Sequence, residues 1–266
     1  MVIFINVNKI QTTGAGSIGI VSANGTLTEN NGEIVIGGVD TAGIYGVNYL
    51  DGTTSSSVLG YGDDSINIQN NGKITSTGTD KVYGLYVDNS AGAVSSVTLG
   101  TGSDINLKTS NGAVGIYVNN TSVSGGGTVT VGTDGLGMYA KDSNVNLTGL
   151  TMNLYGNNAL GFYLDGTTSF SGNGTINVDG QNIALFNTNS SGSFTNNFNV
   201  TSTAGSSYVV GNVNNGTFYY NATANLGANG SLINGTNSAV LLDTASNITG
   251  SGINVVGAVL NGQYTG

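Results

Sequence analysis

A short apolar motif recurs along the chain at a nearly constant interval, and this repeat limits the possible folds more than any other feature. The motif is a small residue followed by two or three apolar residues, the second often aromatic, as in GIYG at Gly43 and GIYV at Gly115. Five of the nine intervals between its copies are 22 to 24 residues. A fixed period of this size is typical of repeat proteins, in which each repeat packs only on its neighbours. The ten copies begin at Gly19, Gly43, Gly84, Gly115, Gly137, Gly161, Ala184, Ser207, Ala239 and Gly257.

Segments of alternating apolar and polar residues lie between the copies of the motif. Thr128–Val131, Asn144–Leu147 and Thr175–Val178 alternate with period two, as half-buried strands do. Asn-Gly turns such as Asn31-Gly32 and Asn71-Gly72 bound these segments. No stretch has apolar residues at helical spacing, and Gly, Asn, Thr and Ser are poor helix formers. The sequence therefore predicts an all-β fold.

Two all-β architectures fit short strands and Asn-Gly turns. One is an antiparallel barrel or sandwich built from hairpins. The constant period favours the other, a solenoid, because two or three short strands and their turns fill one coil. The chain has no Pro, as expected where every strand donates and accepts ladder hydrogen bonds. We predict a single-stranded parallel β-helix of about ten coils over residues 1–266, with insertions near 51–64 and 89–104, as a piece of a longer solenoid.

Alternation within the motif predicts which of its side chains face the core. Ile116, Val114 and Leu160 belong to the predicted inward set. The other set contains six rings in successive coils, which would stack about one strand spacing apart. This aromatic column is either buried under the insertions or a neighbouring face, or exposed as a stripe that binds sugars or another protein. Its members are the candidate binding residues Tyr45, Tyr86, Tyr117, Tyr139, Tyr163 and Phe186.

The composition excludes several kinds of chemistry. The chain has no Cys, no His and no Arg, and its formal net charge is −9. These absences remove thiolate and imidazole ligands, the usual general base and the basic patches that bind nucleic acid. The densest acidic pair, Asp63-Asp64, is interpreted as a solvated turn, with a calcium site as the alternative. We predict no catalytic residue and no enzymatic activity, no metal or other cofactor, no nucleic-acid partner and no membrane span.

Two segments and two turns carry a resemblance to a known class of proteins. The NNG strand entries at Asn31-Gly32 and Asn71-Gly72, with KVYGLYVDN at 81–89 and AVGIYVNN at 113–120, resemble the passenger regions of type V autotransporters, above all the large fusobacterial adhesins. The resemblance implies a right-handed parallel β-helix, displayed outside the cell from a Gram-negative outer membrane and used in adhesion. It implies host or bacterial cell-surface glycans or proteins as partners. No binding residue of that class matches a position of this chain.

Three functions remain open at this level. The first is an adhesin that contacts its partners through the insertions or the aromatic column. The second is a structural stalk or filament module that associates with copies of itself through the ends of the β-helix. The third is a phage tailspike-like or polysaccharide-acting enzyme, which the lack of Arg and His disfavours because such sites need groups that stabilise charge and transfer protons.

Overall fold

The fold is known from a computed structural model that describes residues 2–23, 25–48, 65–78, 80–89, 93–220, 223–225, 230–242, 247–249 and 255–261. The described residues form strands and turns and contain no helix. Every paired strand runs parallel to its neighbours, and the strands stack as a β-solenoid. The predicted all-β, parallel β-helix is therefore confirmed.

The strands form three parallel ladders along the solenoid. The first contains β1 (Val2–Asn6), β4 (Thr26–Asn30), β7 (Asn67–Asn70), β10 (Ser95–Leu99), and the first parts of β13 (Thr121–Val131), β15 (Asn144–Tyr155), β17 (Ser169–Asp179) and β19 (Phe194–Ser202). The second contains β2 (Lys9–Gln11), β5 (Glu33–Ile36), β8 (Lys73–Ser76), β11 (Asp104–Leu107), the second parts of those four long strands, β21 (Thr223–Asn225) and β23 (Asn247–Thr249). The third contains β3 (Ile18–Ala23), β6 (Thr41–Val47), β9 (Val82–Asp88), β12 (Val114–Asn119), β14 (Leu136–Lys141), β16 (Leu160–Gly166), β18 (Ile183–Ser190) and the first parts of β20 (Tyr208–Tyr220), β22 (Gly230–Leu242) and β24 (Val255–Asn261). The second parts of β20, β22 and β24 continue the first ladder, because Tyr219 pairs with Thr195.

The number of turns follows from these ladders. About eight turns lie between residues 2 and 213, and β20 to β24 contribute parts of two more. About ten coils were predicted, and the structure shows about eight turns. Regular turns are as long as predicted, since Val114 pairs with Leu136, and Leu136 with Leu160, at separations of 22 and 24 residues.

A continuous apolar core fills the solenoid. Ile44, Leu85, Ile116, Met138 and Phe162 occupy one column in successive turns of the third ladder, and none of them is exposed to solvent. Burying a side chain of this size stabilises the fold by about 1.5–3 kcal/mol. Because each turn adds its own layer to the column, the fold gains core with every repeat and holds its outer faces at fixed positions.

Buried asparagines add a polar ladder inside one corner of the solenoid. Asn6 donates a hydrogen bond from Nδ2 to Oδ1 of Asn30 at 2.8 Å, and Asn30 donates in the same way to Asn70 at 2.7 Å. Asn70 donates in turn to Oγ of Ser103 at 2.7 Å. All four side chains are buried, so the ladder meets the hydrogen-bonding needs of groups that water cannot reach. The repeat pattern of the sequence does not predict this ladder.

One of the two predicted insertions lies outside the described residues, and the other contains a strand of the first ladder. Residues 51–64, with Asp63-Asp64, lie outside the described residues. Within 89–104, Ser95–Leu99 forms β10, which pairs with β7 and β13 in full register. The prediction of an insertion there is wrong for this strand, because Val97 and Leu99 alternate inward and belong to the core. None of the described residues lies in a helix that is long and apolar enough to cross a bilayer.

The predicted register of the motif copies after Gly161 is wrong. Leu160 pairs with Ala184 and Phe162 with Phe186, so Leu185 occupies the position of Gly161. Ala239 pairs with Thr217 at the far ends of β22 and β20, outside the level of the motif. These copies lack the Gly that fixes the position of the earlier ones, and apolar residues alone do not define a register.

Candidate functional site

Five tyrosines form a stacked column on the outer face of the third ladder. Tyr45, Tyr86, Tyr117, Tyr139 and Tyr163 occupy the same position in five successive strands, β6, β9, β12, β14 and β16. The distances between successive ring centroids are 5.1, 4.5, 4.9 and 5.3 Å. The first four rings are nearly parallel, at 5–8°, and the last is tilted by 25°. All five side chains are half-buried, so the column lies at the surface with its outer edge exposed to solvent.

Phe186 does not belong to this column, and its place in the predicted aromatic column is wrong. The residue that continues the column after Tyr163 is Asn187. Phe186 lies in the core, stacked on Phe162 with ring centroids 5.0 Å apart, and is fully buried. Because side chains in a strand alternate with period two, the error of one residue in register moved this ring from the inner to the outer face.

A second outer column lies beside the tyrosines and contains side chains that were predicted to face inward. Val114, Leu136 and Leu160 are half-buried on the surface, as is Tyr83, whose ring meets Tyr86 edge-on at 5.3 Å. The prediction is wrong because the motif glycine interrupts the alternation. A Cβ on Gly115 would lie 2.5 Å from the carbonyl oxygen of Gly137 and 2.7 Å from the core side chain of Val129, so the glycine and the next residue both face inward.

We call these two columns together the tyrosine stripe. It consists of Tyr45, Tyr83, Tyr86, Val114, Tyr117, Leu136, Tyr139, Leu160 and Tyr163.

Polar side chains border the stripe at the C-terminal ends of its strands. Nδ2 of Asn119 donates to Oδ1 of Asp88 at 3.0 Å, and Nδ2 of Asn189 donates to Oδ1 of Asp165 at 3.1 Å. The hydroxyl of Tyr139 donates to Oδ2 of Asp165 at 3.1 Å. The stripe thus has an apolar centre and a hydrogen-bonded polar rim, which is the usual layout of a protein contact surface.

Burial governs the protonation of the stacked phenols. It is the main reason why the pKa of Tyr86 and Tyr117 lies above the ordinary value, and the negative charge of Asp88 adds to the effect. Burial, followed by the hydrogen bond to Asp165, raises the pKa of Tyr139 to about 12. The phenols of Tyr86, Tyr117 and Tyr139 are therefore neutral hydrogen-bonding groups at physiological pH.

The other two faces of the solenoid are polar by comparison. The first ladder presents a column of small polar side chains from β10 onward, and the second ladder presents columns of threonine and asparagine. On the second face, Asn177 donates to Asn153 at 2.7 Å and Asn153 donates to Thr130 at 2.9 Å, so these side chains bond to one another along the axis. The columns are Ser96, Ser122, Asn144 and Ser169 on the first face, and Thr128, Thr151 and Thr175 beside Thr130, Asn153 and Asn177 on the second.

The chemistry available at the stripe is non-covalent contact. The ring faces of Tyr86, Tyr117 and Tyr139 are covered on both sides by neighbouring rings, so these residues offer ring edges and hydroxyl groups. Within the described residues, no group of three or more metal-ligating side chains occurs.

No family model, no curated protein and no solved structure matches the chain.

Proposed function

We propose that the chain is a segment of an extracellular bacterial adhesin and that the tyrosine stripe is the face through which it contacts a receptor on another cell. The observation that supports this proposal is the difference between the three faces. From β10 onward, two carry Ser, Thr and Asn in their outer columns, whereas the third carries five stacked tyrosines beside Val114, Leu136 and Leu160. The exposed apolar side chains of the first ladder lie in β1, at Ile3, Phe4 and Ile5. Tyrosine is enriched among the residues that dominate binding energy at interfaces, and the cores of interfaces contain few charged residues.

The size of the stripe indicates how such an adhesin would work. Five rings separated by four strand spacings span about 20 Å, and two columns three residues apart span about 10 Å. An area of this size is well below the roughly 800 Å² per partner of a stable protein interface. A single copy would bind weakly, and many copies on a cell surface would reach high avidity because each first contact raises the effective concentration for the next.

A structural stalk is the second candidate, and the polar faces favour it. The bonded column of Thr130, Asn153 and Asn177 satisfies its own side chains along the axis and stiffens the rod. A stalk needs only this stiffness and makes no use of the tyrosine stripe.

Binding of the labelled 266-residue chain to bacterial and host cells distinguishes the two candidates. We expect saturable binding that is lost in Tyr117→Ser and kept in the control Thr151→Ala, whose side chain lies on a polar face. Circular dichroism at the assay temperature must show that both variants are folded. Binding that is absent, or that Tyr117→Ser leaves unchanged, would contradict an adhesive role for the stripe and favour the stalk.

A further inference from the structure

We propose that the end of the tyrosine stripe beyond Tyr163 is a subsite for an uncharged saccharide. This inference rests on the proposed function, because it assigns a glycan to the receptor that the stripe contacts. The stacking of the rings determines which ring faces a sugar can reach. Sugars bind aromatic residues by placing their C–H groups against the ring face, which carries the partial negative charge of the π electrons. Inside the column the neighbouring rings occupy those faces.

Tyr163 is the last ring of the column and, like Tyr45 at the other end, has a neighbouring ring on only one face. Tyr139 stacks on one of its faces, and Asn187 lies on the other side. An asparagine side chain is too short to reach the outer half of a phenol ring, whereas a tyrosine in the same place would cover it. The outer half of Tyr163 on the side of β18 is therefore a ring face that a sugar can reach.

A shallow groove of about 300 Å³ begins in the next turn and continues along the same face. Its floor contains Ala184 and Val209, which occupy the column of Leu160 with smaller side chains. The loss of side-chain volume after Leu160 produces the groove. The volume lies at the lower end of the range for small-molecule sites, and is suited to one or two sugar rings.

The polar groups around the groove are uncharged. Asn182, Ser207, Asn212 and Ser231 line it with amide and hydroxyl groups, which donate and accept hydrogen bonds as sugar hydroxyls do. The Ser207 hydroxyl already donates to Oε1 of Gln181 at 2.9 Å and accepts from the backbone N–H of Asn182 at 2.8 Å, so it offers a sugar only an acceptor. None of the described residues that line the groove is charged. Asp165, in the same strand as Tyr163, and the net charge of −9 disfavour anionic sugars. The geometry therefore fits neutral hexoses and N-acetylhexosamines better than sialic or uronic acids.

Two substitutions test the subsite without truncating the column. Asn187→Tyr extends the stack by one ring and covers the open face of Tyr163. Ala184→Leu restores the side chain that Leu136 and Leu160 carry in the same column and fills the groove. Both replace an outer side chain by one that the preceding turn already accommodates, so we expect both variants to fold. Thr151→Ala, on the second ladder, is the control.

The experiment is a titration of the purified chain with a panel of neutral oligosaccharides ending in galactose, glucose, mannose or an N-acetylhexosamine, with sialyllactose as the anionic comparison. We expect at least one neutral sugar to bind and each subsite variant to weaken it by about tenfold or more, which corresponds to roughly 1.4 kcal/mol. Thr151→Ala should bind as the unchanged chain does.

Three results would overturn the inference: no neutral sugar binds, sialyllactose alone binds, or Asn187→Tyr and Ala184→Leu bind as tightly as the unchanged chain. The cell-binding assay separates this failure from that of the proposed function. Cell binding that depends on Tyr117, together with no sugar binding, removes the subsite and keeps the adhesin. Sugar binding that both subsite variants weaken, together with no cell binding, supports the subsite and removes the adhesive role of the stripe.

Discussion

Tyr86 and Tyr117 stack with their ring centroids 4.5 Å apart and their ring planes inclined by only 5°. Their strands, β9 and β12, pair in parallel and in register, which places the two residues directly above one another. The strand spacing of about 4.7–4.9 Å matches the stacking distance of the rings, so the backbone holds the pair in contact without distortion. The solenoid thus converts a repeated residue in the sequence into a continuous surface.

Removal of the middle ring should lower stability measurably. Tyr117→Ser loses stacking with Tyr86 and Tyr139, and aromatic pairs contribute about 0.5–1.5 kcal/mol each beyond the area they bury. We expect a loss of about 1–3 kcal/mol, measured by urea unfolding. The matched control is Tyr155→Ser, whose ring is half-buried outside the column and contacts the ammonium of Lys108 at 4.2 Å. An equal loss in both variants would show that stacking adds nothing.

The stripe should also make the fold sensitive to alkali. The folded chain raises the pKa of Tyr139 from 10.0 to about 12, so the unfolded chain releases this proton first as the pH rises. The stabilisation is complete below pH 10 and is lost as the pH rises toward 12. Urea midpoints should therefore fall over this interval, and they should fall less in Tyr139→Phe, which has no ionisable phenol. The same slope in Tyr139→Phe and the unchanged chain would exclude Tyr139 as a cause.

The fold could be predicted from the sequence because the repeat and the strand pattern agree. Gly43, Gly84, Gly115, Gly137 and Gly161 mark the same position in successive turns, and the ladders keep these residues in register. Where the glycine is missing, as at Ala184, the predicted register moved by one residue and placed Phe186 on the wrong face.

The inward or outward direction of the stripe residues could be predicted only in part. Strict alternation places Val114 and Ile116 on the same side, but the bend at Gly115 turns Val114 outward. A pattern of residue types does not reveal such a bend, because it depends on the contact of Gly115 with the backbone of the next turn. The polar ladder of Asn6, Asn30 and Asn70 was missed for a related reason, since Asn also occurs in the Asn-Gly turns of this chain and its residue type does not distinguish the two roles.

The motif glycines should not tolerate even one methyl group. In Gly115→Ala the new Cβ would lie 2.5 Å from the carbonyl oxygen of Gly137, an atom that cannot move without breaking the ladder. We expect a loss of about 3 kcal/mol or an unfolded product, measured by thermal and urea unfolding. Gly14→Ala is the control, because its Cβ would meet only the flexible hydroxyl of Ser17 at 3.3 Å. A stable Gly115→Ala variant would show that the turns can separate at this point.

Loss of one buried asparagine should cost more than loss of an asparagine at the surface. Asn30→Ala leaves Nδ2 of Asn6 and Oδ1 of Asn70 without their partner inside the fold. An unsatisfied buried polar group costs about 1–3 kcal/mol. Asn153→Ala also removes one donated and one accepted bond, but Asn153 and its partner Asn177 are half-buried, so water can replace the bond between them, and only the hydroxyl of Thr130 is buried. We expect urea unfolding to show at least a twofold difference between the two losses, and equal losses would contradict a structural role for the inner ladder.

Phe186 and Tyr163 provide the most direct test of the register in the third ladder. Phe186 is fully buried and stacks on Phe162 at 5.0 Å, so Phe186→Ala should cost about 3–5 kcal/mol through the cavity that it leaves. Tyr163→Ala removes a half-buried ring that stacks on Tyr139 alone in its column, and should cost about 1–2 kcal/mol. Acrylamide quenching of tyrosine fluorescence should fall in Tyr163→Ala and stay unchanged in Phe186→Ala at temperatures where both are folded. The reverse order of stability losses would place Phe186 on the surface and restore the six-membered column, because a shift of one residue exchanges the two faces of a strand.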